Sequence, residues 1–160
     1  MNEKQKYAEE LPYFLTSTSS ADAWMDKACT EIKRYGGKIL NEGFVREQSG
    51  RAAFLLEFQI ADDNFHLVWQ VLKSKSGNDK AAKIQAATTL YHDVKAKCLR
   101  AAWVGARAAF LEWLMLPGGQ TAGQATTPEL QQAIPDLFRP RLPALTSGDI
   151  VDGESREVDE

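Results

Sequence analysis

Two runs of alternating residues, 51–60 and 64–72, constrain this chain more than anything else in it. In the first, Ala52, Phe54, Leu56, Phe58 and Ile60 alternate with Ala53, Leu55, Glu57 and Gln59. In the second, Phe65, Leu67, Trp69 and Val71 alternate with His66, Val68, Gln70 and Leu72. That period is the period of a strand with one face buried. Only the turn-like residues 61–64 join the runs, too few for the crossover that parallel pairing needs, so the strands pair antiparallel. Residues 38–46 read as a weaker strand connected through Gln48, Ser49 and Gly50, which completes a three-stranded meander.

Helical patterns flank the meander. Trp24, Ala28, Ile32 and Tyr35 form one apolar stripe, with Ser19 and Asp22 as a capping box and Gly36 and Gly37 as the stop. After a polar loop at 73–78, residues 78–116 are rich in Ala, Lys and Leu and read as one long helix capped by Asn78 or Asp79. A step of about 100° per residue puts Ile84, Ala87, Tyr91, Val94, Cys98, Ala101, Gly105 and Ala109 on the side that covers the sheet. Ala101, Gly105 and Ala109 recur every fourth position and predict close approach of another backbone there. Gly105 also predicts a kink, because glycine costs about 1 kcal/mol of helix propensity relative to alanine. Beyond it, Phe110, Leu111, Trp113, Leu114 and Met115 point in every direction. Their expected cover is a helix over 128–134, opened by Thr127 and Pro128, or a second subunit. Pro135, Pro140 and Pro143 break regular structure after it. The reading is an α+β fold: an N-terminal helix, a three-stranded antiparallel meander, and a long C-terminal helix packed on the sheet. Residues 1–15 form an arm, 16–135 a single domain, and 136–160 a proline-containing, acidic, disordered tail.

Charge narrows the classes of partner. The chain carries a net charge of −3, which excludes a uniformly basic nucleic-acid coat. Residues 73–107 nevertheless hold eight Lys or Arg and two Asp, so positive charge is concentrated on the long helix and the loop before it. Residues 149–160 carry six acids and one Arg, which is tail chemistry. The apolar run 108–116 is too short to span a bilayer and contains Glu112, and residues 1–10 lack the apolar core of a signal peptide. Cys29 and Cys98 fall on apolar sides of helices, as free buried thiols do. A cytoplasmic protein with no membrane partner is expected.

Lys97, Arg100 and Arg107 lie within about 80° of one another on the long helix, a positive face that Lys73 and Lys75 extend from the loop. Such a track suits the phosphates of a single strand, and exposed rings supply platforms for its bases. Tyr13 and Phe14 are the aromatic residues least committed to a core stripe; Phe44 and Trp69 are weaker candidates. No catalytic signature accompanies the basic face. His66 and His92 lack partners at metal-ligand spacing, residues 76–80 lack the glycine spacing of a phosphate loop, and no cofactor is implied.

The order helix, meander, long helix is similar to the core of single-strand annealing proteins of phage and eukaryotic recombination. The stretch 91–102, Tyr-His-Asp-Val-Lys-Ala-Lys-Cys-Leu-Arg-Ala-Ala, followed by Trp103, Val104 and Gly105, resembles that family's basic helix, with Lys95, Lys97 and Arg100 at its basic positions. The resemblance implies a homo-oligomer, often ring-like, that holds single-stranded DNA by its backbone and promotes pairing without a cofactor. It also implies a role for the acidic tail, as a competitor for the basic surface or a handle for a protein partner. Two alternatives stand beside it. One is a small acidic dimeric adaptor or chaperone that docks a protein through Phe110, Leu111, Leu114 and Met115. The other is a double-stranded RNA module, disfavoured because only Lys80 and Lys83 lie near the start of the second helix.

Overall fold

A computed structural model describes residues 6–125 of the 160-residue chain. A 3-10 turn at Ala8–Glu10 precedes α1 (Ala21–Arg34), β1 (Lys38–Arg46), β2 (Ala52–Ile60), β3 (Asp63–Val71) and α2 (Asp79–Val104). Then come α3 (Ala106–Ala109), a 3-10 turn at Leu111–Trp113 and α4 (Ala122–Ala125). The strands form one antiparallel sheet in the order β1-β2-β3, so the fold is the α+β meander that the alternating runs require.

Register puts each apolar row on one face. Phe54 lies between Phe44 and Trp69, Leu56 between Glu42 and Leu67, and Phe58 between Ile39 and Phe65. The β2–β3 hairpin turns on Ala61 and Asp62, with Ala61 at φ 52°, the positive φ that tight hairpins demand. Met25, Ala28 and Ile32 of α1 and Ala87, Leu90, Val94 and Cys98 of α2 pack on that inner face as one core. Each buried Leu, Phe or Met side chain contributes about 1.5–3 kcal/mol.

The ends of α1 follow local chemistry. Ser20, one residue later than the sequence suggests, is its cap, its Oγ accepting the Ala23 N–H at 3.1 Å. At the other end Gly36 takes φ 84°, and a Cβ on Gly37 would lie 2.5 Å from Ile32 Cγ2.

The long helix stops at Val104 instead of running to residue 116. Gly105 adopts φ 82° and ψ 159°, a region essentially reserved for glycine. A Cβ there would meet nothing within 4 Å, so backbone conformation, and not the expected close packing, requires glycine at this position. The chain then doubles back. Phe110 and Trp113 enter the core, and the rings of Phe58, Phe65 and Phe110 lie 5.2–5.5 Å apart. Leu114 bridges to Phe65, and the Met115 N–H donates to Asn64 O at 2.8 Å. The expected partner surface is thereby corrected: Phe110 is fully buried, and Leu114 and Met115 seal the edge of β3. Of the four residues only Leu111 is exposed. The predicted helix over 128–134 and the acidic tail lie outside the described residues. Among those described, no helix is long and apolar enough to cross a membrane.

Candidate nucleic-acid interface

The two halves of α2 have different surroundings. Its first half is enclosed: Ala81, Ala82, Gln85, Ala86, Ala87 and Thr88 are all buried, although they occupy every side of the helix. The N-terminal arm completes the enclosure. Gln85 Nε2 donates to the carbonyls of Ala8 at 2.8 Å, Pro12 at 2.9 Å and Leu11 at 3.2 Å. The Glu9 carboxylate accepts from the Ser74 hydroxyl, from the Lys75 and Ser76 N–H groups at 3.0 and 3.1 Å, and from the Ser76 hydroxyl at 3.0 Å. Those donors, the Ser74 hydroxyl foremost, hold the Glu9 carboxyl at about 2.

In the second half only one side is buried, by Leu90, Val94 and Cys98. At about 100° per residue, His92, Ala96, Leu99 and Trp103 share a ridge about 60° wide directly opposite. All four are exposed, Leu99 to 55% and Trp103 to 78%. Lys95 and Arg100 flank the ridge about 70° to either side. Among the described residues neither makes an ion pair; Lys95 Nζ lies 5.8 Å from the Tyr91 ring.

The other predicted cations have different occupations. Lys97 lies beside the core stripe, only 19% exposed, with Nζ 2.7 Å from Glu112 and 3.6 Å from Asp93, over the Trp113 ring. It fastens the doubled-back segment to α2. Burial pushes the Asp93 carboxyl up, opposed by the Lys97 ammonium. Arg107, carried off the helix by the Gly105 break, makes a bidentate pair with Asp63 in the β3 start, at 2.9 and 2.8 Å. That bond draws the Asp63 carboxyl down and the Arg107 guanidinium up. Lys75 reaches Glu10 at 2.7 Å and covers the Tyr7 ring, and its ammonium is raised by Glu10. Lys73 rims an open cleft of about 970 Å³ on the outer sheet face, with Val45, Ala53 and Val68. The continuous track of six cations therefore reduces to Lys95 and Arg100, because three of the others face carboxylates and Lys73 faces away.

The aromatic candidates are also redistributed. Phe44 packs on Phe54 in the inner face, and Trp69 Nε1 donates to Thr89 Oγ1 at 3.3 Å. Phe14 is half-buried. Tyr13 is exposed and stacks on His92 with centroids 5.4 Å apart. Trp103, the most exposed large apolar side chain among the described residues, was absent from the sequence candidates. Its position was legible: eleven residues after His92 and opposite Leu90, it falls on the polar side of the helical wheel.

Cys29 and Cys98 are buried, free thiols, each pushed up to about 12 by burial, so neither offers a thiolate at neutral pH. Among the described residues, no group of three His, Cys, Asp or Glu is placed to hold a metal. Comparisons with protein-family models, with curated proteins and with solved structures found no match to this chain.

Proposed function

We propose that the protein binds single-stranded DNA on the exposed ridge of α2 and acts in strand annealing during recombination or replication, as a homo-oligomer. The observation that supports this reading is Trp103: a 78% exposed residue on a ridge flanked on both sides by cations that, among the described residues, no carboxylate pairs with. An exposed ring beside Lys and Arg stacks an unpaired base while the cations meet its phosphates, and a duplex offers no free base face. Two phosphate contacts are far fewer than a long track provides. The salt response should therefore be shallow, a slope of about −1.4 in log affinity against log salt.

Fluorescence anisotropy with labelled single-stranded and duplex DNA at two salt concentrations tests the reading. Preference for the single strand is expected, lost in the Lys95→Glu, Arg100→Glu double variant and weakened in Trp103→Ala. Equal binding to both forms, indifferent to these changes, overturns it. An adaptor function is favoured by one observation: Leu99, Trp103, Val104 and Leu111 are large apolar side chains, all exposed. A protein partner held by them would bind with little dependence on salt.

A further inference from the structure

We propose that Tyr13 is a second stacking platform of the same site, so that one strand is held at both ends of the α2 ridge with its phosphates between them. This rests on the single-strand reading and adds a spacing to it. Positions 92 and 103 are eleven residues apart, which on a helix means about 16 Å along the axis and about 20° in azimuth. The ring that stacks on His92 and the indole of Trp103 thus face the same side. Between them the ridge carries Ala96 and Leu99, and Lys95 and Arg100 stand along its flanks.

Tyr13 is held for this position at a conformational cost. It takes φ 71°, and Leu15 two residues on takes φ 60°, a region in which non-glycine residues are strained. The ring lies 25° from parallel to the His92 ring, and the residue keeps 43% of its surface exposed. Beneath it His92 rests against Tyr91 at 5.2 Å and Trp24 at 5.9 Å, and Trp24 Nε1 donates to Ser17 Oγ at 2.8 Å. The arm is therefore braced against both α1 and α2, while Tyr13 itself stays exposed. A strained, braced and exposed residue is a poor use of a side chain that only has to pack.

Charge selects the occupant. In a pairing of two copies along this ridge, Lys95 and Arg100 would take the flanking positions where paired helices set their charges against each other. Cations would then face cations. A polyanion with aromatic bases satisfies the rings and both flanks at once.

The test uses oligothymidylates of increasing length with the full chain and the variants Tyr13→Ala, Tyr13→Leu and Trp103→Ala. Each loss of a stacked base should lower affinity for a long oligomer about 5- to 150-fold. Trp103→Ala should weaken oligomers of every length. Both Tyr13 variants should weaken only those long enough to reach from Trp103 to Tyr13; Tyr13→Leu keeps apolar packing and removes the π face. Wild-type affinity in Tyr13→Leu, with Trp103→Ala still weakened, overturns the second platform and leaves the single-strand reading standing. No binding by the wild-type chain overturns both.

Discussion

The first and second halves of α2 belong to one unbroken helix and differ in what they are for. The first, past its exposed opening residues Asp79 and Lys80, is enclosed by α1, by β3 and by an arm that Gln85 and Glu9 fasten down. The second buries a single stripe and turns Leu99 and Trp103 to water. Composition alone barely separates them, since both are rich in alanine with scattered lysines. What separates them is the arm at one end and the Gly105 reversal at the other, which decide which faces still need a partner.

Substitutions that should respect this division sharpen it. The largest effect is expected where the reversal enters the core: Phe110→Ala should cost about 3–5 kcal/mol in urea denaturation. Full stability in that variant would mean that the doubled-back segment is not held as described. Gly105→Ala should destabilise by about 1–3 kcal/mol, because alanine does not fit φ 82° and ψ 159°. A continuous helix through residue 105 requires the opposite sign, a gain of about 1 kcal/mol, so this single measurement separates the two conformations. Gln85→Ala should cost about 1–3 kcal/mol by leaving three arm carbonyls without their shared donor, and should expose residues 8–12 to proteolysis.

The arm should also respond to pH. Glu9 titrates at about 2 in the folded chain against an ordinary 4.5, so its contribution is complete above about 4.5 and is lost as pH falls toward 2. Protection of the Lys75 and Ser76 amides, measured against their intrinsic exchange rate at each pH, should fall through that window, and Glu9→Gln should remove that loss of protection. The smallest effect on stability is expected for Trp103→Ala, within about 0.5 kcal/mol. A large loss there would place the indole in packing and take away the contrast between the two halves.

Much of the fold was readable because periodicity is a local signal. Phe54, Leu56 and Phe58 announce their face without any knowledge of what covers it, and Gly36 ends α1 by its own backbone freedom. The site was readable only in part. The Asp93–Lys97 spacing was visible in the sequence, but Glu112 reaches Lys97 only after the chain reverses. Arg107 meets Asp63 across 44 residues for the same reason. One backbone angle, at Gly105, moved Arg107 off the helix and Phe110 into the core. Trp103 was a different failure: the sequence drew notice to it only as the residue that follows the basic stretch, although its place on the helical wheel, opposite Leu90, marks it as exposed.

The fastening of the arm also dictates an order of assembly. Gln85 reaches back 77 residues to Ala8, and Ser76 reaches back 67 to Glu9, whereas the β2–β3 hairpin closes over two residues. Contacts so distant along the chain carry a large closure entropy and are rewarded only once α2 and the loop before it exist. The hairpin should thus form early and the strap last, making undocking of residues 8–12 the first step by which the folded molecule opens.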